Sequence, residues 1–231
     1  MKIGIVISTY YRPDGKTEEF LTKTLESVKN QKHKDYKVYL IGDKYEKEDE
    51  FEKIASSIID PDKIYYENLS YAKERDVYPN GEKLWCSGGV NARNYGIEKC
   101  LTDGIDFICS LDHDDLFTEN HLKNFSDFIE NNSQDYVFLA SRSNYLNKYI
   151  VPVNSKPGRF YPTASDLVHS SVCINFRKLP LRFRDVFAET GVVYASDADL
   201  WTRTTEFLKT KNLMAYLLDE VTSIYYKKEK M

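Results

Sequence analysis

The chain has 231 residues, 42% of them hydrophobic and 29% charged, enough for one substantial core in a globular protein. A formal net charge of -4 excludes the basic surface that non-specific nucleic-acid binding requires, so nucleic acid is not an expected partner. No run approaches the ~18 apolar residues of a membrane span, so no integral membrane segment is expected. The opening stretch is too short and too soon polar for a signal peptide. Cys86, Cys100, Cys109 and Cys173 form no CxxC pair and read as reduced, buried thiols of a cytoplasmic protein.

Ile3 to Ser8 alternates and then fills with β-branched residues, which predicts a central buried strand. The stretch TYYRPDG (residues 9–15) follows as a loop. Gly15-Lys16-Thr17 has the tail of a P-loop, but the glycine needed five residues earlier is Tyr10, so that motif fails. A helix is predicted from about Lys16 to Asn30, with Leu21, Leu25 and Val28 on one face. Tyr36 to Gly42 reads as a second strand ending at Asp43, and Lys44 to Lys53 as a solvated helix face. Lys63 to Tyr66 predicts a third strand. Residues 68–87 read as irregular, with a turn at Pro79-Asn80-Gly81. A helix from about Gly89 to Leu101 stops at Asp103-Gly104, and Ile105 to Leu111 is the fourth strand.

In the second half, Thr118 reads as the N-cap of a helix from Glu119 to about Glu130. Strands are predicted at Tyr136 to Ala140 and Leu167 to Phe176, with a strand or hairpin arm at Tyr145 to Val153 and a loop over residues 154–165. A helix from about Asp197 to Leu208 precedes closing strands within Leu213 to Tyr226, and the basic tail Lys227 to Lys230 reads as frayed. Strand–helix–strand alternation predicts a three-layer α/β/α sandwich with a mostly parallel central sheet, whose ligands bind beyond the carboxyl ends of the strands.

The most informative stretch is LDHDD, Leu111 to Asp115, where an apolar strand runs into three carboxylates. Charges this close must face water, take up a proton or share a cation. Asp112 and Asp114 are hard oxygen ligands suited to Mg2+ or Mn2+ against a diphosphate. The plainer alternative is a solvated acidic turn before a helix. An EF-hand is excluded because the sixth position counted from Asp112 is Phe117. Late in the chain, Ser196 and Asp199 fit a capping box, and Asp199 has Arg203 at i+4. That leaves Asp197 in the first helical turn, where a carboxylate near a cleft can serve as a general base. His169 has two readings, a side chain that reaches the cleft and, the plainer one, a buried strand histidine with a hydrogen-bond partner. Trp85, Tyr145, Tyr161 and Trp201 are candidate stacking rings for a ligand, with core packing the plainer role for each.

The segments VISTYYRP, TLESVKNQ, LIGD, GVNARNYGI leading into DFICSLDHDD, VHSSVCINFRK and SDADLWTR, in that order from Ile3 to about Arg203, resemble the family 2 glycosyltransferases with the GT-A fold. The resemblance implies a single catalytic domain over residues 1–231, with a nucleotide-binding half (1–115) and an acceptor-side half (116–231). It implies metal-dependent, inverting transfer of a sugar from a nucleotide diphosphate, most often UDP, to a carbohydrate or other hydroxyl acceptor. Thr9, Tyr10 and Arg12 then match the loop that lines the nucleotide, Asp43 the acid on the base, and Arg93 and Asn94 the motif near the nucleotide and metal. Asp114 matches the metal ligand, Asp112 a ligand to the ribose or to the metal and its water shell, and Asp197 the catalytic base. Two positions depart from the family pattern. Ser196 replaces the usual Glu beside the base, and Asp43 follows Gly42 where many members have a second acid. The rival readings are a nucleotidyltransferase, which would want a glycine-rich basic loop after the first strand, and a degenerate nucleotide-sugar-binding module.

Overall fold

The computed structural model describes residues 1–78, 80–132, 136–164 and 167–225. Its first half runs β1 (Ile3–Thr9), α1 (Thr17–Lys29), β2 (Tyr36–Asp43), α2 (Glu48–Ile58), β3 (Ile64–Leu69), α3 (Lys73–Val77), α4 (Gly81–Ser87), α5 (Val90–Thr102) and β4 (Phe107–Asp112). The second half runs β5 (Leu116–Phe117), α6 (His121–Asn131), β6 (Tyr136–Tyr145), β7 (Tyr149–Val151), β8 (Gly158–Phe160), β9 (Val172–Asn175), α7 (Val186–Thr190), α8 (Ser196–Lys211) and β10 (Met214–Tyr225). One mixed sheet of order β3-β2-β1-β4-β9-β6-β10-β5 crosses both halves, with β7 on β6 and β8 on β10. The first half is parallel throughout, as expected. In the second half β6 and β10 are parallel, while β9 runs antiparallel to both β4 and β6.

The period-two pleat sorts the core onto two faces. Ile3, Ile5 and Ile7 of β1, with Val38 and Leu40 of β2, pack on Leu21 and Leu25 of α1, Phe51 and Ile54 of α2, and Phe125 of α6. Val6, Tyr39 and Ile108 face the other way, joining Ile97 and Cys100 of α5 and Leu200 and Trp201 of α8. All four cysteines are free and buried. No helix among the described residues is long and apolar enough to cross a membrane.

Several local expectations change. Residues 68–87 contain α3 and α4, too short to display a helical hydrophobic period. Pro79 of the expected turn lies outside the described residues, as do Tyr226 and the basic tail. Residues 154–165 include β8. The expected strand from Leu167 opens instead as a 3-10 turn at His169–Ser171, because the Ser171 hydroxyl donates to the carbonyl of Val168 at 2.8 Å and pulls the backbone out of the extended form. Helix α6 begins at His121 without a side-chain cap. Thr118 contributes its carbonyl there, accepting from the N–H of His121. Ser196 is the first helical residue of α8 and Ala195 holds the cap position, so the capping box does not form.

Helix α5 is placed by two glycines. Gly89 has φ +76 at the helix start, and a Cβ there would come within 3.1 Å of Ser8 Oγ. At Gly96 a Cβ would lie 2.6 Å from Val6 Cγ1, so the helix rests directly on β1. Glu74 of α3 fastens the same helix by accepting the N–H of Asn91 at 3.1 Å. Its other carboxylate oxygen is buried without a hydrogen-bond partner. Burial, reinforced by the nearby charge of Asp43, pushes the Glu74 carboxyl up to about 7.

Two stability predictions follow from this anchoring. Gly96→Ala forces Val6 aside and lowers stability by about 1–3 kcal/mol, read as a fall in Tm of several degrees; an unchanged Tm contradicts the close approach. Glu74 is neutral in the fold at mildly acidic pH, so its own contribution to stability declines as pH rises from 4.5 to about 7 and then stays level. Glu74→Gln keeps an acceptor for Asn91 and removes that loss. Its Tm should exceed wild type at about pH 8 and converge with it near pH 5.

Candidate active site

Strand β1 lies between β2 and β4, and the register sets Thr9 opposite Gly42 and Ser8 opposite Asp112. The loop after β1, Asp43 and the acidic turn therefore arrive at one edge of the sheet. They line a cavity of about 380 Å³ with Ser8, Thr9, Tyr10, Arg12, Asp43, Arg93, Asp112 and Asp114 on its walls.

Within the acidic turn each carboxylate has a different partner. Asp112 accepts from Arg93 Nη2 at 3.2 Å and lies 3.9 Å from His169 Nε2. Burial works to raise its pKa, but His169, Arg93 and His113 outweigh that and hold the carboxyl below its ordinary range. Asp114 accepts from Arg12 Nη1 at 3.1 Å. Asp115 turns inward instead, accepting from the Ser170 hydroxyl at 2.6 Å, and that hydroxyl also receives the N–H of Asp112 at 3.1 Å. Thr24 of α1 closes the turn from below by donating to the carbonyls of His113 and Asp115. Of the three acids, Asp112 and Asp114 face the cavity and Asp115 is an anchor.

At the opposite end of the cavity Asp43 is buried, and Arg75 of α3 donates to its carboxylate at 3.1 Å as well as to its backbone carbonyl. Burial raises the Asp43 pKa, and Arg75 offsets this only in part. The Arg75 guanidinium also lies 4.9 Å from the ring centre of Tyr10, whose edge meets His113. Asp43 Oδ1 and Thr9 Oγ1 are buried with no hydrogen-bond partner. Arg75 was invisible to pattern reading because its helix has five residues and no periodic neighbours.

A second cavity of about 330 Å³ opens beside the first, lined by Cys86, Tyr145, His169, Asp197 and Tyr225, and it shares Trp85, Arg93 and Asp112 with it. Asp197 sits in the first turn of α8, its Oδ1 accepting from the N–H of Ala198 at 2.7 Å. Asp199 takes the structural role expected of it and more. It accepts from Arg203 at 2.7 Å and, with both oxygens, from Arg184 at 2.7 and 2.9 Å. His169 is buried and reaches this cavity, but from the 3-10 turn and not from a strand, and its Nδ1 has no partner.

Asn94 is not among the residues that line either cavity. Its amide donates to the carbonyl of Phe183 at 2.8 Å and accepts that residue's N–H at 3.1 Å, bracing α5 against the segment before α7. The candidate stacking rings separate cleanly. Trp201 is fully buried against Phe138. Tyr161 is exposed away from both cavities, with Lys209 over its ring. Tyr145 is layered between Tyr149 and Tyr225 at the edge of the second cavity. Trp85 lines both cavities.

Comparison with known proteins fits this geometry. Residues 4–191 match the family described as Glycosyl transferase family 2. An uncharacterized glycosyltransferase of Acanthamoeba polyphaga mimivirus is 34% identical over 217 residues, covering 90% of this chain and 86% of that protein. Among solved structures, S. aureus TarS 1-349 in complex with UDP-GlcNAc superposes with a TM-score of 0.70 at 15% identity, over 100% of this chain and 60% of that one. The same protein in complex with UDP gives 0.67 over 97% of this chain, so the chain spans about 60% of the length of these solved relatives. At that identity the structures establish the shared α/β fold, and the sequence match establishes more: the chain belongs to glycosyl transferase family 2.

Proposed function

We propose that the chain transfers a sugar from a nucleotide diphosphate, with UDP the nucleotide, to an acceptor hydroxyl with inversion at the anomeric carbon. The observation that carries this reading is the junction of the two cavities at Arg93 and Asp112, with Asp43 at the far end of the first and Asp197 in the second. In this reading the base lies toward Asp43 and Tyr10, and the diphosphate lies at the acidic turn beside Arg12 and Arg93. The resemblance in fold to TarS, whose structures hold UDP and UDP-GlcNAc, supports UDP as the nucleotide.

Asp197 acts as general base. It accepts the proton of the acceptor hydroxyl as that oxygen attacks the anomeric carbon, and the bond to the diphosphate breaks on the opposite face. A single displacement inverts the centre. Asp199, held by two arginines, stays out of this chemistry and fixes the helix that carries Asp197.

The acidic turn fits a divalent cation. Asp114, with Asp112, presents carboxylate oxygens to the first cavity, the hard donors that Mg2+ or Mn2+ prefers. Among the described residues no group of three or more His, Cys, Asp or Glu side chains is arranged to hold a metal. Asp114 and Asp112 would therefore share the ion with diphosphate oxygens and water, the usual arrangement for Mg2+. Bound there, it would neutralise charge growing on the departing diphosphate.

Two substitutions test the assignment. Asp197→Asn should lower transfer by about 10²–10⁴ while leaving the Tm rise produced by a UDP-sugar intact; retained transfer removes Asp197 as the base. With UDP at about 100 times its Kd the protein gains about 2.7 kcal/mol of stability. Asp114→Ala should abolish the part of that gain that depends on Mn2+ and is reversed by EDTA. An equal metal-dependent gain in the variant would place the ion elsewhere.

A further inference from the structure

The two cavities share three side chains, and two of them, Arg93 and Asp112, are bonded to each other. The third is Trp85, on α4. This seven-residue helix forms the ridge between the cavities: Leu84 lines the first, Cys86 the second, and Trp85 both. The helix is bounded by Gly81, with φ +86, and by the Gly88-Gly89 pair, with Gly89 at φ +76. Trp85 is 67% exposed, whereas Trp201, the other tryptophan, is fully buried. An indole held that far out of the core, where the two cavities meet, is a large rigid apolar face presented to whatever crosses between them.

What crosses is set by the proposed reaction, on which this inference rests. A sugar carried by a diphosphate at the acidic turn, and attacked by a hydroxyl beside Asp197, must hold its anomeric carbon at the junction. A pyranose ring has an apolar face of C–H groups and an equator of hydroxyls. Arg93 and Asp112 are engaged with the diphosphate and its ion, and the indole beside them supplies a surface for the C–H face.

We infer that Trp85 is the platform on which the transferred sugar ring lies, a specificity-determining residue that recognises the sugar and not the nucleotide.

Tryptophan emission tests this directly, because Trp201 is shielded and Trp85 is not. UDP, UDP-glucose, UDP-galactose and UDP-GlcNAc are each added with Mn2+, binding is followed by Tm, and acrylamide quenching is measured on wild type and on Trp85→Phe to isolate the Trp201 signal. The expected result is that UDP leaves Trp85 quenchable while at least one UDP-sugar protects it. Trp85→Ala should then weaken that UDP-sugar by about 3- to 10-fold, the worth of one aromatic contact, with the UDP affinity within about twofold of wild type and Trp85→Tyr restoring most of the loss. Equal quenching with UDP and with every UDP-sugar, or parallel losses of UDP and UDP-sugar affinity in Trp85→Ala, overturns the platform and leaves the nucleotide site standing. If none of the four ligands raises the wild-type Tm, the nucleotide site itself fails and the platform falls with it.

Discussion

Three carboxylates within four residues, Asp112 to Asp115, cannot share a turn unless each is compensated. Two like charges 4 Å apart near a protein surface repel by about 4 kcal/mol. The fold meets this by drawing a partner from a different element for each acid. Helix α5 sends Arg93 to Asp112, the loop after β1 sends Arg12 to Asp114, and the turn before β9 sends Ser170 to Asp115. Holding the acidic turn therefore also fixes where α5, the first loop and the 3-10 turn stand relative to one another. The site is largely the set of groups required to keep that turn in place.

That arrangement explains why two cavities meet where they do. Arg93 and His169 both approach Oδ1 of Asp112, and Arg93 and Asp112 together form wall common to the two cavities. The anchor Asp115 is spent on rigidity, and Asp112 and Asp114 are left facing ligand. On the far side, Arg184 and Arg203 fix Asp199 and thereby the first turn of α8, which carries Asp197 into the second cavity. The base proposed for the acceptor is thus positioned by ion pairs independent of those around the acidic turn.

Much of this was legible in the chain, for identifiable reasons. Parallel strands buried on both faces read as continuous apolar runs, so β1, β2 and β4 stood out, and with them the edge that gathers Thr9, Asp43 and Asp112. Helices α1 and α5 declared themselves by periodicity and by the Gly104 stop, where φ is +76. The Asp199–Arg203 pair followed from i+4 spacing alone. What stayed hidden depended on short elements and on contacts distant in sequence. Arg75 lies on a helix of five residues, below the length at which a pattern forms, and the seven-residue helix that carries Trp85, itself a candidate ring in the sequence, was equally unpatterned. The hydroxyl of Ser170 meets Asp115 across 55 positions, and the amide of Asn94 meets Phe183 across 89. No local pattern encodes either; the resemblance implied Asn94 near the nucleotide, and its amide pairs with the backbone of Phe183.

The most direct test is a crystal structure of the protein with UDP and Mn2+. The account predicts the uracil ring at Tyr10 and Asp43, the diphosphate against Arg12 and the acidic turn with the ion at Asp114, and the cavity beside Asp197 left open for an acceptor. A nucleotide seated against Asp197, or bound with its diphosphate remote from Asp112 and Asp114, would contradict it.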